Sequence, residues 1–281
     1  MIHPKTAPTH ADVAAHYDAL DGFYRELWGE HLHHGLWETG RETPETAVRK
    51  LAGRAAAEAR ITPGDAVCDV GCGYGATARM LARDYGARVT GLTLSEAQLA
   101  YARAHTDGDN PAFLRRDWLA NGLPDESFDA VVALESLAHM TDKPAFFAEA
   151  HRVLRPGGRL VVCAWTAADD ARPWHVRHFL EPVCREGRLP SLGSAGEYAA
   201  LCTRAGFADV AREDLSRRVA RTWTVCLRRV AWGLLTKPRY ARYLLDARHT
   251  ERVFLRALPR LRLAFATGAF RYALLTARKP A

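Results

Sequence analysis

The chain has 281 residues, 48% hydrophobic and 25% charged, with Gly 21, Pro 14 and a formal charge of +7, a globular composition that excludes disordered and collagen-like chains. Its length suits one large domain or a core domain with a smaller lobe, and six cysteines without a CxxC pair exclude a disulfide framework, so the reducing cytoplasm is the expected home. No signal-peptide pattern or uncharged apolar window of about 18 residues predicts a leader or a membrane span, and the charge alone does not choose between nucleic acid, an anionic surface and anionic substrates.

Residues 1–10 read as a loose tail. Over 12–28, Val13, Tyr17, Leu20, Tyr24, Leu27 and Trp28 recur at helical spacing. An aromatic and histidine-rich loop follows, Trp28-Gly29-Glu30-His31-Leu32-His33-His34-Gly35-Leu36-Trp37, then an alanine-rich helix over 46–60. From residue 66 short apolar runs alternate with helical stretches. Strands are predicted at 66–70, 88–92, 112–116, 128–134 and 159–163, with helices at 76–85, 95–104 (Ser95 as N-cap) and 144–154. This rhythm predicts an α/β fold with a doubly wound, mostly parallel sheet. Beyond 164 the rhythm stops. A helix over 194–205, a strand near 207–213, one long helical stretch over 217–262 and a final strand over 271–278 are expected. The predicted division is an N-terminal helical segment (1–60), a sheet domain (61–164 plus about 263–281) and a lid (165–262) that, with the N-terminal helices, covers the sheet's binding edge.

The sharpest local signal is Val67-Cys68-Asp69-Val70-Gly71-Cys72-Gly73-Tyr74-Gly75, a buried strand running into glycines at every second position before a helix. Such a loop lets a ligand approach the backbone at the carboxyl ends of the strands. Ala76 at the sixth position keeps a dinucleotide fingerprint open. Asp69 weighs against it, because a carboxylate repels a pyrophosphate and attracts a cationic amino group. DVGCGYG resembles the cofactor loop of class I S-adenosylmethionine-dependent methyltransferases. Gly91-Leu92-Thr93-Leu94-Ser95-Glu96-Ala97-Gln98, Arg116-Asp117-Trp118, Leu123-Pro124-Asp125-Glu126-Ser127-Phe128-Asp129 and Arg155-Pro156-Gly157-Gly158 resemble later segments of that family in the same order.

The resemblance implies S-adenosylmethionine as cofactor and S-adenosylhomocysteine as product. It implies Asp69, Gly71, Cys72, Gly73 and Gly75 around the methionine part, Thr93, Leu94 and Gln98 near the ribose, and Asp117 and Trp118 at the adenine, with Leu134 at the strand exit. Thr93 departs from the family's usual acidic residue, which leaves Gln98 and main-chain groups to share the ribose. Tyr17 and the 28–37 loop resemble the N-terminal lid of tocopherol and bacterial natural-product methyltransferases, with Tyr17 near the sulfonium or the carboxylate. No metal is assigned to His31, His33 and His34.

Leu134-Glu135-Ser136-Leu137-Ala138-His139-Met140 puts polar residues at the binding edge of a buried strand, and it resembles the same subgroup. His139 is the candidate base, and Glu135 the candidate group that orients the acceptor. His34, Ser136, Trp165, Trp174 and Trp223 are expected to contact a bulky, partly apolar acceptor, an anionic one included. The predicted reaction is methyl transfer to a small molecule of secondary metabolism, antibiotic biosynthesis included, at a hydroxyl oxygen. C-methylation of an aromatic ring or isoprenoid, N-methylation, a noncatalytic cyclase or scaffold role and nucleic-acid methylation are the alternatives. The fourth-strand exit has neither the Asn/Asp-Pro-Pro-aromatic tetrad nor a catalytic cysteine of nucleic-acid methyltransferases, so no nucleic acid is expected. Neither is a membrane partner, and a homodimer through 232–263 is an alternative use of that surface. Residues 211–262 hold 14 basic and 4 acidic side chains, so the excess charge belongs to the lid.

Overall fold

Val67, Cys68, Val131, Val132, Val161 and Val162 are all within 1% of full burial, as strands covered on both faces must be. In the computed structural model, which describes residues 1–245 and 252–281, these runs form one seven-stranded sheet. Its strands are β1 (Ala66–Val70), β2 (Arg88–Thr93), β3 (Ala112–Arg115), β4 (Phe128–Leu134), β5 (Leu154–Ala167), β6 (Ala208–Asp214) and β7 (Phe270–Arg278). The order is β3-β2-β1-β4-β5-β7-β6, parallel except for β7, which runs antiparallel to both neighbours. The order reverses between β1 and β4, which creates a crevice at their carboxyl ends, where ligands bind in open α/β sheets.

Alternate residues of each strand enter opposite layers. Val67, Ala130, Val132 and Val161 pack with Leu51, Ala55 and Leu81 of α2 (Pro44–Glu58) and α3 (Ala76–Tyr85). Cys68, Val131, Leu160 and Val162 pack with Phe146, Phe147, Tyr198 and Leu201 of α5 (Lys143–Val153) and α8 (Ala195–Arg204). On the α2 and α3 side, α4 (Glu96–Ala104) follows β2 and buries Leu99 and Ala102, its first turn capped by Ser95 Oγ accepting from the Gln98 N–H. The edge strand β6 carries Arg212, Glu213 and Asp214, charges that discourage further strand pairing.

Two regions depart from the sequence reading. The helical stretch expected over 217–262 is divided into α9 (Ser216–Val219), α10 (Arg221–Thr236), α11 (Pro238–Leu245) and α12 (Arg252–Ala266). Pro238 stops α10, since its ring cannot continue the helix and Lys237 before it is extended. Residues 246–251 of that expected stretch lie outside the described residues. A bent helical run precedes these, α6 (Pro173–His175), a π turn (Val176–Leu180) and α7 (Glu181–Glu186). Together α7, α10 and α12 bury Val183, Trp223, Val230, Leu258 and Phe270 in a third core beside the binding edge. The tail is also not loose: Ile2 exchanges both backbone hydrogen bonds with Leu192 at 2.8 Å. Behind it, Thr9 and Asp12 form a capping box that starts α1 (His10–Leu27).

Candidate active site

At the reversal point a cleft of ≈ 1010 Å³, counted to its open mouth, runs along the ends of β1, β2 and β4. Its floor is the glycine loop. Gly71 has φ +76, and a Cβ there would lie 2.4 Å from Ser136 Cβ, so the loop can pass the β4 exit only as glycine. Asp69 is 2% exposed, and its Oδ2 is buried with no hydrogen-bond donor. Burial pushes its carboxyl up to about 7. A buried, unsatisfied carboxylate at the base of this loop suits a cationic amino group, and the methionine part of S-adenosylmethionine carries one.

The remaining lining continues from the glycine loop along the exits of β2, β3 and β4. Cys72, Gly73, Thr93, Leu94, Gln98, Asp117, Trp118 and Leu134 all line the cleft. Thr93 does not present its hydroxyl to a ribose: Oγ1 donates to Gln98 Oε1 at 2.9 Å and accepts from the Ser95 N–H at 3.2 Å. This holds Gln98 by its oxygen and leaves its amide N–H groups as the donors at that point. Asp117 accepts from the Leu119 N–H at 2.9 Å, and its second oxygen meets His10 Nδ1 at 2.5 Å. Gly75 is the exception in the loop. It lies outside the lining, and its left-handed φ of +78 starts α3 while Phe113 packs where its Cβ would be.

The outer wall is α1 with the loop that follows it, and polar contacts lash both to the cofactor half. Ser95 Oγ donates to Asp18, Tyr74 OH donates to Asp21 Oδ1 at 2.7 Å, and Glu30 joins Arg79 at 2.6 Å and Tyr101 at 3.0 Å. His31 and His33 face one another at 3.2 Å, each 3.3 Å from Thr77 Oγ1. Burial first, then the neighbouring His33, Arg49 and Arg79, push His31 down to about 3, so it is neutral. Nothing in the sequence signalled these clamps, because most join side chains dozens of residues apart.

Tyr17, Leu32, Glu135 and His139 line both this cleft and a second, smaller chamber of ≈ 490 Å³. Tyr24, Trp28, His34, Trp165 and Trp223 wall the chamber. His139 sits on a 3-10 turn (Leu137–His139) just beyond β4. Burial foremost holds its imidazole down to about 4, so the ring is neutral. Its Nδ1–H faces the Arg188 carbonyl at 3.4 Å, which leaves Nε2 to accept from the Tyr17 hydroxyl at 2.9 Å. Below the turn, buried Lys143 donates to the carbonyls of Ala138 (3.2 Å) and Met140 (2.7 Å), which flank His139. Burial lowers that ammonium to about 7.

Glu135 has a left-handed φ of +64. Its Oε1 accepts three hydrogen bonds: from the His34 N–H (2.5 Å), His34 Nδ1 (2.9 Å) and Tyr272 OH (2.8 Å). Burial alone would raise its carboxyl, but the His34 ring and backbone N–H outweigh that and hold it below the usual range. Ser136 Oγ lies against Gly71, buried without a partner. Trp165 packs edge-on to His34 and Trp223. Trp174 corrects the expected acceptor set: it is 45% exposed, packs on His175 and Phe179 and lines neither cavity. Its position on short α6, beyond the third core, turns it to solvent.

Residues 68–162 match the family described as "Methyltransferase domain". A 27-O-demethylrifamycin SV methyltransferase from Amycolatopsis mediterranei (strain S699) is 35% identical, over 98% of this chain and 99% of that protein. A probable chloroplastic tocopherol O-methyltransferase from Oryza sativa subsp. japonica is 30% identical, over 95% of this chain and 78% of its own length. Among solved structures, the [4+2]-cyclase SpnF is 27% identical with a TM-score of 0.82, each chain covered in full. The chain therefore belongs to the S-adenosylmethionine-dependent methyltransferases, as an enzyme of small-molecule methyl transfer whose methyl donor is S-adenosylmethionine. Among the described residues no helix is long and apolar enough to cross a membrane.

Proposed function

We propose that the enzyme methylates a hydroxyl oxygen of a bulky, largely apolar small molecule of secondary metabolism, antibiotic biosynthesis being the leading setting. The observation that carries this reading is the shared wall. An acceptor lying among Tyr24, Trp28, Trp165 and Trp223 meets the cofactor cleft only at Tyr17, Leu32, Glu135 and His139. Aromatic walls bind a flat or polycyclic body and exclude water, so a reacting oxygen is held against the methyl donor at high effective concentration. The relatives named for methylation of 27-O-demethylrifamycin SV and for O-methylation of tocopherol support the same chemistry.

When bound, S-adenosylmethionine supplies an electrophilic methyl group on sulfur. Asp69 would hold its amino group, Gln98 its ribose, and Asp117 with Trp118 its adenine. His139 enters this reading with its lone pair already bound by the Tyr17 hydroxyl, so the pair fixes Tyr17 at the junction. A hydroxyl that uses His139 as base must displace that O–H. Trp165 at the end of β5 and Trp223 of α10 wall the chamber for the acceptor, and the basic surface of the 211–262 stretch offers attraction to an acceptor carrying a carboxylate.

The test is incubation with S-adenosylmethionine and a panel holding 27-O-demethylrifamycin SV, a tocopherol precursor, an aliphatic amine and an electron-rich arene. Mass spectrometry with fragmentation is expected to find the added methyl on oxygen. Methylation confined to nitrogen or carbon overturns the oxygen reading. Cofactor binding without transfer to any member points instead to a cyclase role like that of SpnF.

A further inference from the structure

Resting on the oxygen reading, we infer that His34, held by Glu135, is the residue that takes the proton from the acceptor hydroxyl. His34 is 1% exposed, and its Nδ1 lies 2.9 Å from Glu135 Oε1. A carboxylate only accepts, so Nδ1 carries a proton, and in the singly protonated ring Nε2 is a bare lone pair. Trp165 Nε1 also points toward Nδ1, at 3.4 Å, but an N–H cannot accept it, and the shorter charge-assisted bond to Glu135 decides the tautomer.

No donor reaches Nε2 among the described residues, although the atom is buried. Leaving such a group unpaired costs about 1–3 kcal/mol, which calls for a reason. The rings of Trp223, Tyr272, Trp165 and Phe265 pack around the His34 ring, at 4.9, 5.1, 5.9 and 5.9 Å between centroids. Trp223 in turn has a buried indole N–H with no acceptor. His34 and Trp223 both line the chamber, and between them they carry one unused lone pair and one unused donor. A hydroxyl, with one O–H and two lone pairs, complements both.

Glu135 is arranged for the second half of the task. Its Oε1 is pinned by the His34 N–H, His34 Nδ1 and Tyr272 OH, so the carboxylate neither rotates away nor loses its charge. A fixed carboxylate behind an imidazole sets its tautomer and stabilises the imidazolium that forms, as it does in hydrolase triads. The balance is simple. The acceptor's O–H proton passes to His34 Nε2, its oxygen forms a bond to the methyl carbon, and the S–CH3 electron pair stays on sulfur. His139 lacks these features, since its Nε2 is occupied by Tyr17 and, among the described residues, its Nδ1 faces the Arg188 carbonyl rather than a carboxylate.

The first measurement needs no acceptor. Nitrogen-15 imidazole NMR of the full chain bound to S-adenosylhomocysteine, assigned with His34→Gln and followed across pH, is expected to show the singly protonated ring as the Nδ1–H tautomer. The Nε2–H tautomer, or a ring that never gives up its Nε2 proton across the pH range of activity, overturns the inference. The second uses whichever hydroxyl compound of the panel the wild type methylates fastest. His34→Ala is expected to lose at least about 10²-fold in kcat, with S-adenosylhomocysteine binding kept, and to regain rate with added imidazole. Glu135→Gln is expected to lower kcat without imidazole rescue. His34→Ala within about threefold of wild type, or a folded His34→Ala that imidazole does not rescue, sinks the assignment. A wild type that methylates only nitrogen or carbon sinks the oxygen reading instead, while the tautomer result still stands by itself.

Discussion

The cofactor cleft and the chamber proposed for the acceptor share Tyr17, Leu32, Glu135 and His139, yet they are built in different ways. The cleft takes its floor from consecutive strand exits, Asp69 to Gly73, Thr93 to Gln98, Asp117 to Trp118 and Leu134 to Ser136. The chamber draws His16, Tyr17 and Tyr24 from α1, Trp28, Leu32 and His34 from the 28–37 loop, and single residues from the end of β5, the turn after α7 and α10. Each half also leaves different atoms waiting for a partner. The cleft has the Asp69 carboxylate, suited to a cation, and the chamber has His34 Nε2 and Trp223 Nε1, suited to a neutral hydroxyl. A fixed ligand is met by groups on the sheet scaffold, while a family-variable ligand is met by groups on helices and loops packed over it.

The largest expected break of this contrast is Gly71→Ala. The new Cβ would lie 2.4 Å from Ser136 Cβ at a φ of +76, so the loop must shift. Binding of S-adenosylmethionine is expected to vanish in calorimetry while the aromatic chamber keeps its tryptophan fluorescence. Next comes Asp69→Asn, which removes the buried counter-charge and is expected to weaken binding by roughly 10²-fold or more. Its stability signature has a definite sign. The folded-state value of about 7 lies above the ordinary 3.8, so the ligand-free protein binds this proton more tightly when folded. Stability is therefore lost as pH rises from about 4 through 7, by a few kcal/mol at ~1.4 kcal/mol per unit. In thermal melts between pH 5 and 8, the Asp69→Asn variant should flatten that decline. An unchanged slope would detach Asp69 from the site.

Lys143→Met probes the seam between the halves. It removes two hydrogen bonds that hold the carbonyls on either side of His139. We expect kcat to fall roughly 10-fold with S-adenosylhomocysteine affinity unchanged, since orientation at the junction is what the brace supplies. A matching loss of cofactor affinity would show that the brace serves the cleft instead. The smallest effect is expected for Trp174→Ala, within about 0.5 kcal/mol in stability and without change in acceptor KM, because the side chain is exposed and lines neither cavity.

Much of the cleft was legible because its chemistry is local. The Val67–Gly75 run holds strand, carboxylate and turn within nine residues, and Ser95 caps α4 as its sequence position suggests. Thr93 was legible only as a departure. Its hydroxyl's turn toward Gln98 depends on where α4 sits against β2. His139 stands out as the polar residue after a buried strand, but its lone pair is spoken for by Tyr17, 122 residues earlier in the chain. The helical break at Pro238 is masked in the sequence because apolar spacing persists on both sides of it.

By itself the sequence determined the α/β rhythm, the glycine loop with Asp69 and the methyl donor they imply, since periodicity and turn chemistry act over a few residues. Only the tertiary structure decided which polar atoms are left without partners. That His34 is clasped by Glu135 and Asp117 by His10, while Trp174 stands in solvent, follows from packing between distant elements. Burial sets the cost of an unpaired group, and burial is a property of the folded whole.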